Sequence, residues 1–236
     1  MCGRYVLATP IDELASFFEA RRAAGLAGDW AASYNIAPTK SVVCLAPDAD
    51  GARVLDAYRW GLIPSWAKDP AIGNRLFNAR SETVAVKPSF RGAFRSRRLV
   101  VVSDGFYEWR RGPGARRQPF FLSRPDRAPL AFAGLWESWR DPTSADAAGA
   151  PLRSCTIITT AANAEVSPIH DRMPVVLERD ALEVWLDRSV EARDELEALL
   201  CPAPPGTLAV RAVGPRVGNV RNNGPDLIEE VTPDAG

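Results

Sequence analysis

The chain has 236 residues, 46% of them apolar, and carries 29 basic and 29 acidic side chains. That length buries a core without metal or disulfide staples, and the composition excludes a disordered chain. No apolar run reaches the roughly 18 residues of a membrane span, and Met1-Cys2-Gly3-Arg4-Tyr5 lacks the apolar core of a signal peptide. A cytosolic protein is expected, nucleoid-associated in a bacterium or nuclear in a eukaryote.

Taken in chain order, the first helix is predicted to start at Thr9, a capping residue, with Pro10 in the favoured first turn. Leu14, Phe17, Phe18 and Arg21 follow at helical spacing, and residues 25–29 end it. Strands are predicted over 42–46, 53–60, 99–103, 120–123, 130–135 and 155–160, each short, β-branched or aromatic, and separated by Gly, Pro and Asp turns. Two helices follow over about 179–187 and 190–200, then a strand over 208–213 and a Gly/Asn-rich stretch over 214–224. Segments 111–118 and 141–150 read as surface insertions, too short to be domain linkers. Many strands with few helices point to the α+β class. The expectation is one domain on a curved, barrel-like, mainly antiparallel β-sheet with peripheral helices.

The four cysteines, Cys2, Cys44, Cys155 and Cys201, form no C-x-x-C pair, and His170 is the only histidine. A zinc site is therefore not expected, nor any metal or cofactor. A cytosolic setting argues against disulfides. Cys44 and Cys155 lie inside apolar runs and read as core residues.

Zero net charge argues at first against a nucleic-acid partner, but the distribution is uneven. Only Lys40, Lys68 and Lys87 are lysine among the 29 basic residues; the others are arginine. Arginine binds phosphate through a planar, bidentate fork. Two clusters stand out: Arg91, Arg95, Arg97 and Arg98, then Arg110, Arg111, Arg116 and Arg117. Acidic residues gather instead in the C-terminal third, which is consistent with a neutral protein that has a basic face.

Position 2 carries chemistry of its own. Removal of Met1 would leave a free N-terminal cysteine, a 1,2-aminothiol. At pH 7.4 roughly a quarter of α-amines are neutral, against about a thousandth of lysines. Such an amine forms a Schiff base with an aldehyde, and the thiol then closes a five-membered thiazolidine. Three polar residues sit beside apolar segments elsewhere: Asn78 in Leu76-Phe77-Asn78-Ala79-Arg80, Glu108 between Tyr107 and Trp109, and His170 in Ile169-His170-Asp171-Arg172. Glu108, just past an apolar strand, would have a raised pKa and serve as a proton shuttle. The plainer readings are an inert Cys2, a solvated strand-end carboxylate, a structural histidine and a turn asparagine.

Together these segments resemble a known family. Met1-Cys2-Gly3-Arg4-Tyr5, Tyr34-Asn35-Ile36-Ala37-Pro38-Thr39, Trp60-Gly61-Leu62-Ile63-Pro64 with Trp66, and the Asn78, Glu108 and His170 motifs resemble the SRAP (SOS-response-associated peptidase) family. They stand in family order over nearly the whole chain, which implies a domain over 2–225 and a tail over 226–236. The resemblance implies a catalytic set of Cys2, Asn78, Glu108 and His170, and a groove for single-stranded DNA whose abasic sites supply the aldehyde. Arg4, Arg80 and Arg172 would bind flanking phosphates, and Trp66, with Pro38 nearby, would stack against exposed bases. The protein is expected to act as a monomer. The peptidase in the family name fits self-processing: the Cys2 thiol reaches the Met1 carbonyl through a five-membered ring, and water cleaves the resulting thioester. A general methionine aminopeptidase would do the same job. Two other readings stay open: a cysteine peptidase acting in trans through Cys2, His170 and Asn78 or Glu108, and a non-catalytic single-strand binding module.

Overall fold

The computed structural model describes residues 2–26, 30–111, 117–143 and 150–232. The first half of the chain forms β1 (Tyr5–Leu7), α1 (Ile11–Phe17), β2 (Arg21–Arg22), β3 (Ser33–Ile36), β4 (Ser41–Pro47), β5 (Arg53–Trp60) and β6 (Asn78–Arg80). Then come α2 (Arg91–Ser96), β7 (Arg98–Ser103), β8 (Gly105–Arg111), β9 (Arg117–Ser123), β10 (Leu130–Trp139) and β11 (Leu152–Ala161). The last elements are β12 (Arg172–Pro174), α3 (Arg179–Leu186), α4 (Arg193–Ala198) and β13 (Ala209–Ala212).

Five strands close into a barrel. β11 pairs antiparallel with β10, β10 with β7, β7 with β4 and β4 with β5, and β5 returns to β11 in parallel. The short strands β6 and β12 also pair with β11, β6 in parallel and β12 antiparallel. A second sheet, wholly antiparallel, runs in the order β13-β9-β8-β1-β3. The α+β architecture, sheet-dominated with peripheral helices in one domain, agrees with the expectation from the sequence.

The chain crosses from barrel to second sheet within Ser103-Asp104-Gly105. Ser103 Oγ accepts from Gly105 N at 3.0 Å. The Asp104 carboxylate accepts from Ala8 N, Thr9 N and Thr9 Oγ1 at 2.6, 2.9 and 2.7 Å. A Cβ on Gly105 would stand 2.4 Å from Phe121 Cζ and 2.6 Å from the Leu122 carbonyl oxygen, so only glycine fits this crossing. The core lies inside the barrel, where Tyr5, Trp60 and Phe132 pack edge to face.

Two expectations are corrected. The first helix stops at Phe17, short of residue 25. Glu19 takes a left-handed φ of 52°, and Arg21–Arg22 then pair with β5. Thr9 does not cap it, because its hydroxyl is spent on Asp104. Past residue 225, Leu227 is buried, and Val231 N–H donates to Ala212 O at 2.9 Å. Segments 112–116 and 144–149 of the two predicted insertions, and residues 27–29 and 233–236, lie outside the described residues.

Candidate active site

Residue 2 sits in the interior. Cys2 is fully buried because β1, which follows it, is paired on both sides, to β3 through Tyr5↔Ile36 and to β8 through Tyr5↔Phe106. Tyr107 N–H donates to Arg4 O at 2.9 Å, which carries the pairing one step further toward residue 2. Glu108, the next residue along β8, is buried at 3% exposure. Burial pushes its carboxyl above the ordinary carboxylate value. Burial, and then the charge of Glu108, raises the Cys2 thiol well above its ordinary value. The thiol is therefore held as S–H at neutral pH.

The barrel supplies the other two residues. Asn78 opens β6, opposite Ile157 of β11, and donates from Nδ2 to the Cys2 carbonyl oxygen at 2.7 Å. Its Oδ1 is buried with no hydrogen-bond partner among the described residues. His170 stands just before β12, on the other flank of β11. Its Nδ1 lies 3.0 Å from the Arg172 N–H and 2.9 Å from Asp171 Oδ1. The first contact needs a lone pair on Nδ1 and the second a proton. The backbone donor is fixed while the Asp171 side chain is 86% exposed, so we take Nδ1 as the acceptor, with the proton on Nε2.

The arginines divide. Arg80 is exposed, at the β6 end opposite Thr159. Arg172 lies across β11, opposite Ala161, but its guanidinium pairs with Glu82 and donates to Thr159 O at 2.5 Å. Arg4 donates to Asn35 Oδ1 at 2.7 Å and Val217 O at 2.9 Å, and lies 5.9 Å from the Trp109 ring centroid. Asn35 reaches the same segment, donating to Asn219 O at 3.0 Å and Asn222 O at 2.9 Å. Arg4 thus helps clamp the Gly/Asn-rich stretch beneath the site. Trp66 is 59% exposed, and Pro38 is half-buried in the turn before β4. In the first arginine cluster, Arg98 is buried and donates to five carbonyl oxygens, including those of Trp185 and Val190. Arg97 pairs with Glu137 at 2.5 Å. Only Arg91 and Arg95 of that cluster face solvent. Arg116 lies outside the described residues, as does Met1.

Sequence reasoning missed Glu82, whose pairing with Arg172 no local pattern announces. It also missed a cavity of about 390 Å³ in which Trp109, Arg110 and Arg111 meet His170 and Asp171. Among the described residues, no group of three or more His, Cys, Asp or Glu side chains is set to hold a metal ion. No described helix is long and apolar enough to cross a membrane.

A family model, SOS response associated peptidase (SRAP), matches residues 1–220. The chain belongs to the SRAP family. Among its relatives, the abasic site processing protein YoqW of Bacillus subtilis (strain 168) is 38% identical over 229 residues, 97% of this chain and 99% of that one. The abasic site processing protein HMCES of Gallus gallus is 35% identical over 231 residues, 85% of this chain and 67% of that one. A crystal structure of a Bacteroides thetaiotaomicron protein shares the fold, with a TM-score of 0.84 at 22% identity, covering 98% of this chain and 100% of that one. Membership of the SRAP family covers both the strands that bury Cys2 and those that bring Asn78 and His170 to β11.

Proposed function

We propose that this SRAP protein processes abasic sites in single-stranded DNA by capturing them covalently on Cys2 once Met1 is gone. The observation that carries this reading is the burial of residue 2 beside the Asn78 amide, 2.7 Å from its carbonyl oxygen, and beside the buried Glu108 carboxyl. The relatives named abasic site processing proteins support the substrate.

The protonation states order the steps. With the thiol held as S–H by burial and by Glu108, the α-amine attacks first, at C1′ of the ring-opened sugar. The carbinolamine loses water to give an imine. Sγ then adds to the imine carbon as its proton leaves, and the nitrogen takes up a proton. Aldehyde plus aminothiol thus become thiazolidine plus water. Glu108, whose carboxyl is raised by burial, carries a proton at neutral pH more readily than an exposed glutamate and moves it in these steps. His170, with Nδ1 engaged by the backbone, offers Nε2–H to the sugar oxygen. Asn78 Oδ1, buried without a partner among the described residues, is the acceptor for the new amine, a positioning effect. Arg80 is free to take a flanking phosphate, and Trp66 to stack on a base. Arg172 would have to yield its pairing with Glu82, and Arg4 acts from the clamp it already forms. Loss of Met1 by attack of the Cys2 thiol on the Met1 carbonyl accounts for the family's name as self-processing.

The test is incubation with an abasic single-stranded oligonucleotide, then denaturing electrophoresis and intact mass. A covalent band matching the sum of protein without Met1 and oligonucleotide, less one water, is expected. The same band from Cys2→Ala would refute the assignment.

A further inference from the structure

The β8–β9 hairpin carries Glu108 near its middle and arginines at its tip. Arg111 stands directly opposite Arg117 across the hairpin, and Arg110 opposite Gln118. All three arginines are exposed. Like charges directly opposed on neighbouring strands repel and cost stability. Among the described residues no carboxylate pairs with any of the three, whereas Arg97 and Arg172 each have one. Arg110 is oriented by the Phe120 ring, 5.0 Å from its guanidinium carbon. Arg110 and Arg111 also line the cavity that opens at His170, and Asp171 is the carboxylate in its wall. The fold thus holds an unneutralised cationic tip against the edge of the reactive site.

We propose that this tip is a phosphate-binding arm: Arg110, Arg111 and Arg117 grip the backbone of the single strand that flanks the captured sugar. The proposal rests on the reading of the Cys2 site as one for abasic DNA. A polyanion lying in the His170 cavity would pass the two arginines in its wall and relieve the repulsion between Arg111 and Arg117. Two arginines outweigh the single Asp171 carboxylate in the cavity wall.

The experiment is a salt titration of binding to an aldehyde-free single-stranded oligonucleotide, read by fluorescence anisotropy. It compares the full chain with Arg110→Ser/Arg111→Ser/Arg117→Ser and with the corresponding triple lysine variant. Each phosphate contact on a single strand contributes about 0.7 to the slope of log affinity against log salt. The serine variant should therefore lose about two units of slope and bind about 100-fold more weakly at 0.1 M salt, converging with wild type near 1 M. The lysine variant should keep the wild-type slope. A serine variant with the wild-type slope, or one weakened equally at all salt concentrations, overturns the arm. The probe has no aldehyde, so this result is independent of the covalent step. A protein with the expected slopes that forms no adduct with abasic DNA would instead refute the capture chemistry alone.

Discussion

Truncating Asn78 to alanine removes the hydrogen bond that Nδ2 donates to the Cys2 carbonyl oxygen at 2.7 Å and the buried Oδ1 assigned to the amine. The carbonyl lies in a buried setting, so it loses its partner without gaining water. Leaving a buried acceptor unsatisfied costs about 1–3 kcal/mol. If the transition state for imine formation feels that cost in full, the rate falls about 5- to 150-fold. Asn78→Asp should be slower still, because it sets a carboxylate oxygen against the carbonyl that the amide now holds. The assay is single-turnover adduct formation at saturating protein, followed on denaturing gels, with intact mass verifying that Met1 is absent. Affinity for an aldehyde-free strand should stay within about twofold of wild type, since the lost contact is to Cys2 and not to DNA. An Asn78→Ala rate within twofold of wild type would refute the positioning role.

Two further predictions concern β8. Burial raises the folded pKa of Glu108 above its unfolded value, so folding favours the protonated carboxyl, and wild-type stability falls as pH rises through the ordinary carboxylate range toward the raised value. Glu108→Gln removes this titration; its melting temperature should gain on wild type as pH rises above the ordinary carboxylate range, while adduct formation slows by about 10²–10⁴. A pH-independent gap between the two melting curves would count against the burial argument. Gly105→Ala puts a Cβ 2.6 Å from the Leu122 carbonyl oxygen, and overpacking of this kind costs about 1–3 kcal/mol. Thermal melts should show the loss, and an unshifted melting temperature would contradict the account of the sheet crossing.

How much of this was legible depended on what holds each segment. The barrel strands β4, β5, β7, β10 and β11 all overlap predicted segments. Their apolar, β-branched runs are buried in the core, and local composition follows burial there. The strands nearest Cys2 were not predicted. β1, β6 and β12 have three residues each and exist through pairing with longer neighbours, a tertiary cause that a local pattern does not register. Glu108 was expected past a strand end, yet β8 runs on through Arg111 because β9 pairs with it as far as Arg117. The arginine clusters misled in part: Arg98 looks in sequence like its neighbours but is buried, holding five carbonyls between the end of α2 and the region after α3. The proposed catalytic set came from motif order along the chain, which groups residues and says nothing about distance.

Chain termini usually fray unless something ties them down, and a terminus used as a nucleophile has to be both anchored and reachable. Here the Cys2 and Arg4 carbonyls are held by Asn78 and Tyr107, and Tyr5 is paired on both flanks with its ring packed edge to face on Trp60 and Phe132. Cys2 is thereby tied to both sheets: Glu108 arrives from the β8 side, Asn78 and His170 from the two flanks of β11. The same burial that disfavours the charged Glu108 also disfavours a thiolate on Cys2. One physical cause therefore produces both a carboxyl able to hold a proton and a thiol that waits for the amine. Loosening β1 would undo both at once. The reactivity proposed for residue 2 is consequently a property of how the two sheets join, more than of the cysteine at that position.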